Sequence, residues 1–160
     1  METFFAGSKG GIMDRIRNGV HHGAHSAYML TYHMVFVVKR RRKIFTPEMK
    51  EYLAGTAAKL LDKMGDELIE LNTDMDHLHI LVSLRPDQAP ATVAGVLKTE
   101  FSKGLLKYFG GQLPQWMLTK RVIWSRSYFV GTTGGVSLEV LEEYVRSQQT
   151  EEHHRKYNSR

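Results

Sequence analysis

The sequence predicts an α+β domain with a split βαβ order, βαββαβ, in which an antiparallel sheet carries two helices on one face and a further helix closes the chain. Three observations predict it. A segment rich in β-branched and aromatic residues over 28–38 reads as a strand; two stretches with helical apolar spacing alternate with three more short strands; and caps, prolines or glycines punctuate the junctions. The 160 residues suit one core.

In the first strand, Tyr28, Leu30, Tyr32, Met34, Phe36 and Val38 fall on one face. The basic run Lys39, Arg40, Arg41, Arg42 and Lys43 follows. Thr46-Pro47-Glu48 then starts a helix, with Thr as cap, Pro in the first turn and Glu at the positive helix end. Its stripe of Met49, Leu53, Ala57, Leu60 and Met64 predicts a helix to about residue 64. Segments 67–73 and 78–84 read as a hairpin, joined near Asp74, Met75 and Asp76. A second helix over 92–109 has Val93, Val96, Leu97, Phe101 and Leu105 in register and stops at Gly110-Gly111. A fourth strand is expected over 122–130. Gly131, Gly134 and Gly135 then form a link, and Ser137 caps a last helix over 138–149. Residues 1–26, with five glycines and with His21, His22 and His25, read as a flexible N-terminal extension preceding a domain over 27–160.

Composition narrows the chemistry. No cysteine is present, which excludes disulfide scaffolds, cysteine-ligated metal and thiol nucleophiles. The net charge of +5 is unevenly spread, with +6 over 1–43, −5 over 44–84, +5 over 85–126 and −1 beyond. Two basic segments around an acidic one suit a polyanionic partner; solvated surface charge is the other account. No segment has the length and hydropathy of a membrane span or a signal peptide, so a cytoplasmic protein without membrane association is expected.

Two pairs of residues carry candidate chemistry. His77 and His79 lie two apart on a strand, so both imidazoles can approach one cation while Leu78 turns inward. Such a pair also fits hydrogen-bonded surface histidines. Asp76 can anchor the turn or orient an imidazole. Tyr144 and Gln148 lie one turn apart on the last helix and project together, while Leu138, Leu141 and Val145 supply a separate docking stripe.

Over nearly all of residues 28–149 the chain resembles the single-tyrosine HUH transposases of the IS-two-hundred and IS-six-hundred-and-five insertion sequences. The resemblance rests on Tyr32-His33 with the basic run, on Asp76-His77-Leu78-His79-Ile80-Leu81-Val82-Ser83, on Trp124 with Tyr128-Phe129-Val130, on the glycine link, and on Tyr144 with Gln148. It implies a ferredoxin-like fold, a homodimer, and cleavage and rejoining of single-stranded DNA with hairpin ends through a covalent 5′-phosphotyrosine. It also implies His77, His79 and Gln148 as ligands of Mg²⁺ or Mn²⁺ and Tyr144 as nucleophile. Gln149 is the alternative ligand in a shifted register. Gly131, Gly134 and Gly135 would be the hinge that lets the terminal helix reach a partner's site.

A phenol with a pKa near 10 needs proton removal or an electrophilic target to react at neutral pH, and a divalent ion can supply the latter. Attack by tyrosine retains a phosphodiester-level bond, so rejoining needs no nucleotide cofactor, and no GxxxxGK[ST] loop is present. Lys39, Arg40, Arg41, Arg42, Lys43, Lys98, Lys103 and Lys107 are the candidate phosphate contacts. Tyr28, Phe45, Trp116 and Trp124 are candidates for base stacking or for core. Three alternatives stay open: a REP-associated tyrosine transposase acting on host palindromes, a non-catalytic nucleic-acid-binding module, and a hydrolase using His77 and His79 with water.

Overall fold

Alternation in the strands and 3.6-residue spacing in the helices place one apolar layer between a sheet and its helices. A computed structural model of the chain describes residues 21–22 and 25–133. Their elements run β1 (His21–His22), β2 (Ala27–Tyr28), β3 (Thr31–Val38), α1 (Pro47–Met64), β4 (Glu67–Asp74), β5 (His77–Ser83), α2 (Pro90–Tyr108), α3 (Gln115–Lys120) and β6 (Trp124–Thr132). From β3 onward this is the expected βαββαβ order with one short helix added. The four-stranded sheet has the order β4-β5-β3-β6, and every neighbouring pair is antiparallel. Strand β5 therefore lies between β3 and β4, as in a ferredoxin-like split βαβ unit.

The core is built from Met34, Phe36 and Val38 of β3, Leu78, Ile80 and Val82 of β5, and Met49, Leu53, Val93, Leu97, Phe101 and Leu105 from α1 and α2. Phe36 is its aromatic centre, with ring centroids of Phe101, Trp124 and Tyr128 at 6.3, 5.8 and 6.2 Å. Val35 and Val37 are equally buried but point to the opposite face, as alternation requires.

Several boundaries differ from expectation. Strand β3 starts at Thr31, and Ala27–Tyr28 pairs instead with His21–His22, so a small hairpin occupies the end of the segment read as a flexible extension. In α1 the buried residue of the last turns is Leu61, with Leu60 only partly covered. The helix begins where expected, with Thr46 Oγ1 accepting from the Met49 amide at 3.2 Å, and it ends on Gly65 at φ 76. Helix α3 has only six residues, too few for an apolar period to emerge; Met117 is its buried anchor. Strand β6 runs to Thr132, which places Gly131 inside the sheet opposite His33. The described part of the expected glycine hinge is therefore strand. Gly134, Gly135 and the terminal helix with Tyr144 and Gln148 lie outside the described residues.

Candidate active site

Strands β4 and β5 meet in a tight hairpin whose register pairs Asp74 with His77 and Asn72 with His79. Met75, at φ 55, takes the left-handed conformation needed to reverse the chain, and Asp76 completes the turn. Leu78 goes to the core with no exposure, so its neighbours His77 and His79 emerge together on the face away from the helices. Their ring centroids are 4.7 Å apart at 74°. The paired imidazoles predicted from the sequence are thus adjacent in space.

Asp76 is 5% exposed and makes both backbone and side-chain contacts. Its backbone carbonyl accepts from the Val38 amide at 2.8 Å, holding the turn against β3. Its Oδ1 lies 3.0 Å from His77 Nδ1, and its Oδ2 accepts from Arg41 Nε. Burial raises the Asp76 pKa, but the hydrogen bonds and positive charge of Arg41 and His77 outweigh it and hold the carboxyl below its ordinary 3.8. An ionised carboxylate only accepts, so His77 donates through Nδ1–H, and in the neutral ring that tautomer leaves the lone pair on Nε2.

That Nε2 faces Asp74 Oδ2 at 3.7 Å. One ligand atom each from Asp74, His77 and His79 lies within 4.8 Å of the others. Burial, with the neighbouring His77 and His33 charges, pushes His79 down to about 4, against an opposing pull from Asp74. His79 is therefore neutral at physiological pH and keeps a lone pair for coordination. Two imidazole nitrogens and one carboxylate form a mixed nitrogen and oxygen set suited to a first-row divalent ion or Mg²⁺. The donor set fits a metal centre.

Asp74 was not singled out from the sequence, where it appeared only as part of the connection. The missing signal was turn length: a two-residue turn at Met75-Asp76 places residue 74 opposite residue 77. His33 was also not assigned a role, although its charge bears on His79.

The basic residues have divided roles. Lys39–Arg41 forms one 3-10 turn, with Arg40 and Arg41 both left-handed at φ 58 and 53. For residues with a Cβ this conformation costs roughly 1–2 kcal/mol each. It sends consecutive side chains in different directions: the Arg40 guanidinium stacks 4.2 Å above Trp116, and Arg41 reaches Asp76. Arg41, Arg42 and Lys43 line an open cleft of about 600 Å³ whose far wall is Gly111, Gln112, Leu113 and Pro114.

Lys98 differs from its predicted part. Its ammonium donates to the carbonyls of Ser125 at 2.8 Å and Arg126 at 3.0 Å, beside the rings of Phe36 and Tyr128, and burial pushes its pKa down. It is engaged in holding the start of β6 to α2. Lys103 pairs with Glu100 at 3.0 Å on the exposed side of α2, and Lys107 lies 5.1 Å from the ring of Tyr108. Among the aromatics weighed for base stacking, Trp124 is 5% exposed and its indole N–H donates to the Lys98 carbonyl at 3.2 Å, so it is core. Phe45 packs on Trp124, Tyr28 stacks on His21, and Trp116 is covered by Arg40. Among the described residues no helix is long and apolar enough to cross a membrane.

Known proteins share this fold. Residues 26–148 match the family model described as "Transposase IS200 like". The transposase for insertion sequence element IS200 of Salmonella typhimurium strain LT2 is 28% identical over 129 residues, covering 81% of this chain and 83% of that protein. The ISDra2 transposase TnpA of Deinococcus radiodurans is 26% identical over 133 residues, covering 78% and 88%. A 1.90 Å crystal structure described as a transposase from Deinococcus radiodurans R1 superposes with a TM-score of 0.68 at 23% identity, over 80% of this chain and 97% of that one. That likeness supports the ferredoxin-like fold. With a family model spanning most of its length, the chain belongs to the IS200-like transposase family.

Proposed function

We propose that this transposase cuts and rejoins single-stranded DNA at hairpin-bearing ends through a 5′-phosphotyrosine on Tyr144, in a homodimer, with Mg²⁺ or Mn²⁺ held by His77, His79 and Gln148. The observation that carries this reading is the pair of adjacent imidazoles with ring centroids 4.7 Å apart, one of them hydrogen-bonded to Asp76. Asp74 stands beside them as a further oxygen donor. When bound, the divalent ion supplies charge that makes the scissile phosphate more electrophilic and orients it.

The chain's own residues do the rest. His77 Nε2 and His79 present lone pairs on a rigid strand, so the centre is preorganised in the sheet. The Tyr144 phenol loses its proton and its oxygen attacks phosphorus; the bond from phosphorus to the 3′-oxygen breaks, and that oxygen leaves as a hydroxyl. The 5′-phosphate stays on tyrosine. A second 3′-hydroxyl then attacks the same phosphorus and releases the phenol, conserving the number of phosphodiester bonds. Arg41, Arg42 and Lys43 at the cleft, with Lys39, bring cationic charge to the incoming backbone. Lys103 and Lys107, on the exposed side of α2, offer weaker contacts.

The test uses single-stranded oligonucleotides covering both flanks of the gene, incubated with the full chain and Mn²⁺. A protein–DNA adduct that survives denaturation is expected, absent in Tyr144→Phe and after chelation. A free 5′-phosphate product that persists in Tyr144→Phe would instead establish a hydrolase, and binding without any cleavage a non-catalytic module.

A further inference from the structure

We propose that Arg41 is a positioning residue for the metal centre, fixing the tautomer of His77 through Asp76. The proposal rests on the reading of His77 as a ligand and concerns a residue that the sequence places only among phosphate contacts. The contacts form one continuous line. Arg41 Nε donates to Asp76 Oδ2; Asp76 Oδ1 accepts from His77 Nδ1 at 3.0 Å; His77 Nε2 then faces Asp74 at 3.7 Å.

The backbone is shaped to make the first of these contacts. Arg40 and Arg41 occupy consecutive left-handed positions immediately after β3. Where the chain enters the turn, the Val38 amide donates to the Asp76 carbonyl and the Lys39 amide donates to the Ile123 carbonyl, each at 2.8 Å. A turn pinned to both neighbouring strands is a rigid base for the guanidinium. Strained backbone held by its surroundings is a recurring feature of functional sites.

Chemistry gives Arg41 its consequence. A buried carboxylate at 5% exposure needs a donor for each oxygen, and its orientation is set by the donor with the least freedom. With the guanidinium removed, Oδ2 loses a charge-assisted bond, the carboxylate is free to rotate, and Oδ1 no longer selects Nδ1–H. His77 then samples the tautomer whose Nε2 carries hydrogen and cannot coordinate. Loss of such an outer contact typically weakens metal binding about 10–100-fold.

The experiment compares the full chain with Arg41→Gln and Arg41→Lys. Long-range ¹H–¹⁵N spectra of the metal-free proteins read the His77 tautomer, and calorimetric titration with Mn²⁺ reads affinity. Wild type is expected to show hydrogen on Nδ1 alone. Arg41→Gln is expected to show a mixture of tautomers and Mn²⁺ binding weaker by about 10–100-fold. Arg41→Lys, which keeps the charge but not the fork, should fall between them. A merely structural Arg41 would shift the thermal midpoint and leave the tautomer alone, so His77 remaining wholly protonated at Nδ1 in Arg41→Gln overturns the proposal, as does unchanged Mn²⁺ affinity. If Arg41→Gln does not fold, Arg41→Lys carries the same two readouts, and values identical to wild type overturn it. Wild type that fails to bind Mn²⁺ would refute the metal reading itself, and the tautomer comparison would still decide the role of Arg41.

Discussion

Asp74 illustrates how a single position acquires meaning from its partner across a strand pair. Its carboxylate is exposed, yet the hairpin register places it 3.7 Å from Nε2 of His77. As an anionic oxygen donor beside two imidazoles, it should strengthen binding of a divalent cation. Asp74→Asn is expected to reduce Mn²⁺ affinity about tenfold, equivalent to about 1.4 kcal/mol. Calorimetry checks this, with the His77 tautomer as an internal control, since Asp74 does not touch Nδ1. Affinity equal to wild type would show that Asp74 lies outside the coordination shell. Lys98 teaches the reverse lesson: a cation that looks available in sequence is engaged by two carbonyls in the fold.

At the level of elements, α2 is the scaffold behind the sheet, and its two interior glycines behave oppositely. Gly95 is exposed, with nothing near the position of an added methyl, whereas a methyl on Gly104 would overlap the Tyr52 ring and hydroxyl. Tyr52 cannot swing away freely, because it packs against Tyr108 and Phe109 at 5.5 and 5.7 Å. Gly95→Ala is therefore expected to stabilise the protein by about 0.5–1 kcal/mol through helix propensity. In Gly104→Ala the same gain is offset by overpacking of about 1–3 kcal/mol, so a net loss is expected. Urea unfolding of the pair reads both signs; equal shifts would mean that α1 and α2 are not packed through Tyr52. Strand β5 joins scaffold to chemistry, since one face supplies Leu78, Ile80 and Val82 to the core and the other supplies the imidazoles.

For the whole molecule, the separation of these faces has a thermodynamic consequence. The core lies between the sheet and the helices, while the donor set lies on the opposite side, so folding should not depend on an ion. Metal-free protein should retain its far-UV circular dichroism, and Mn²⁺ at 100 times its dissociation constant should add about 2.7 kcal/mol of stability by mass action. Thermal unfolding with and without chelator measures this, and His77→Ala with His79→Ala should remove the increment. Unfolding on chelation would contradict a core independent of the centre.

The local pattern was enough for α1, α2, the four sheet strands and the shared face of His77 and His79, because 2.0- and 3.6-residue periods are properties of neighbouring residues. Contacts between distant segments were not legible. The Asp74 alignment depends on a turn length, the reach of Arg41 to Asp76 on two left-handed residues 35 positions upstream, and the engagement of Lys98 on how α2 meets β6. Each is set by the register and packing of segments brought together only by folding, since proximity across a sheet follows from hydrogen-bond pairing and not from composition.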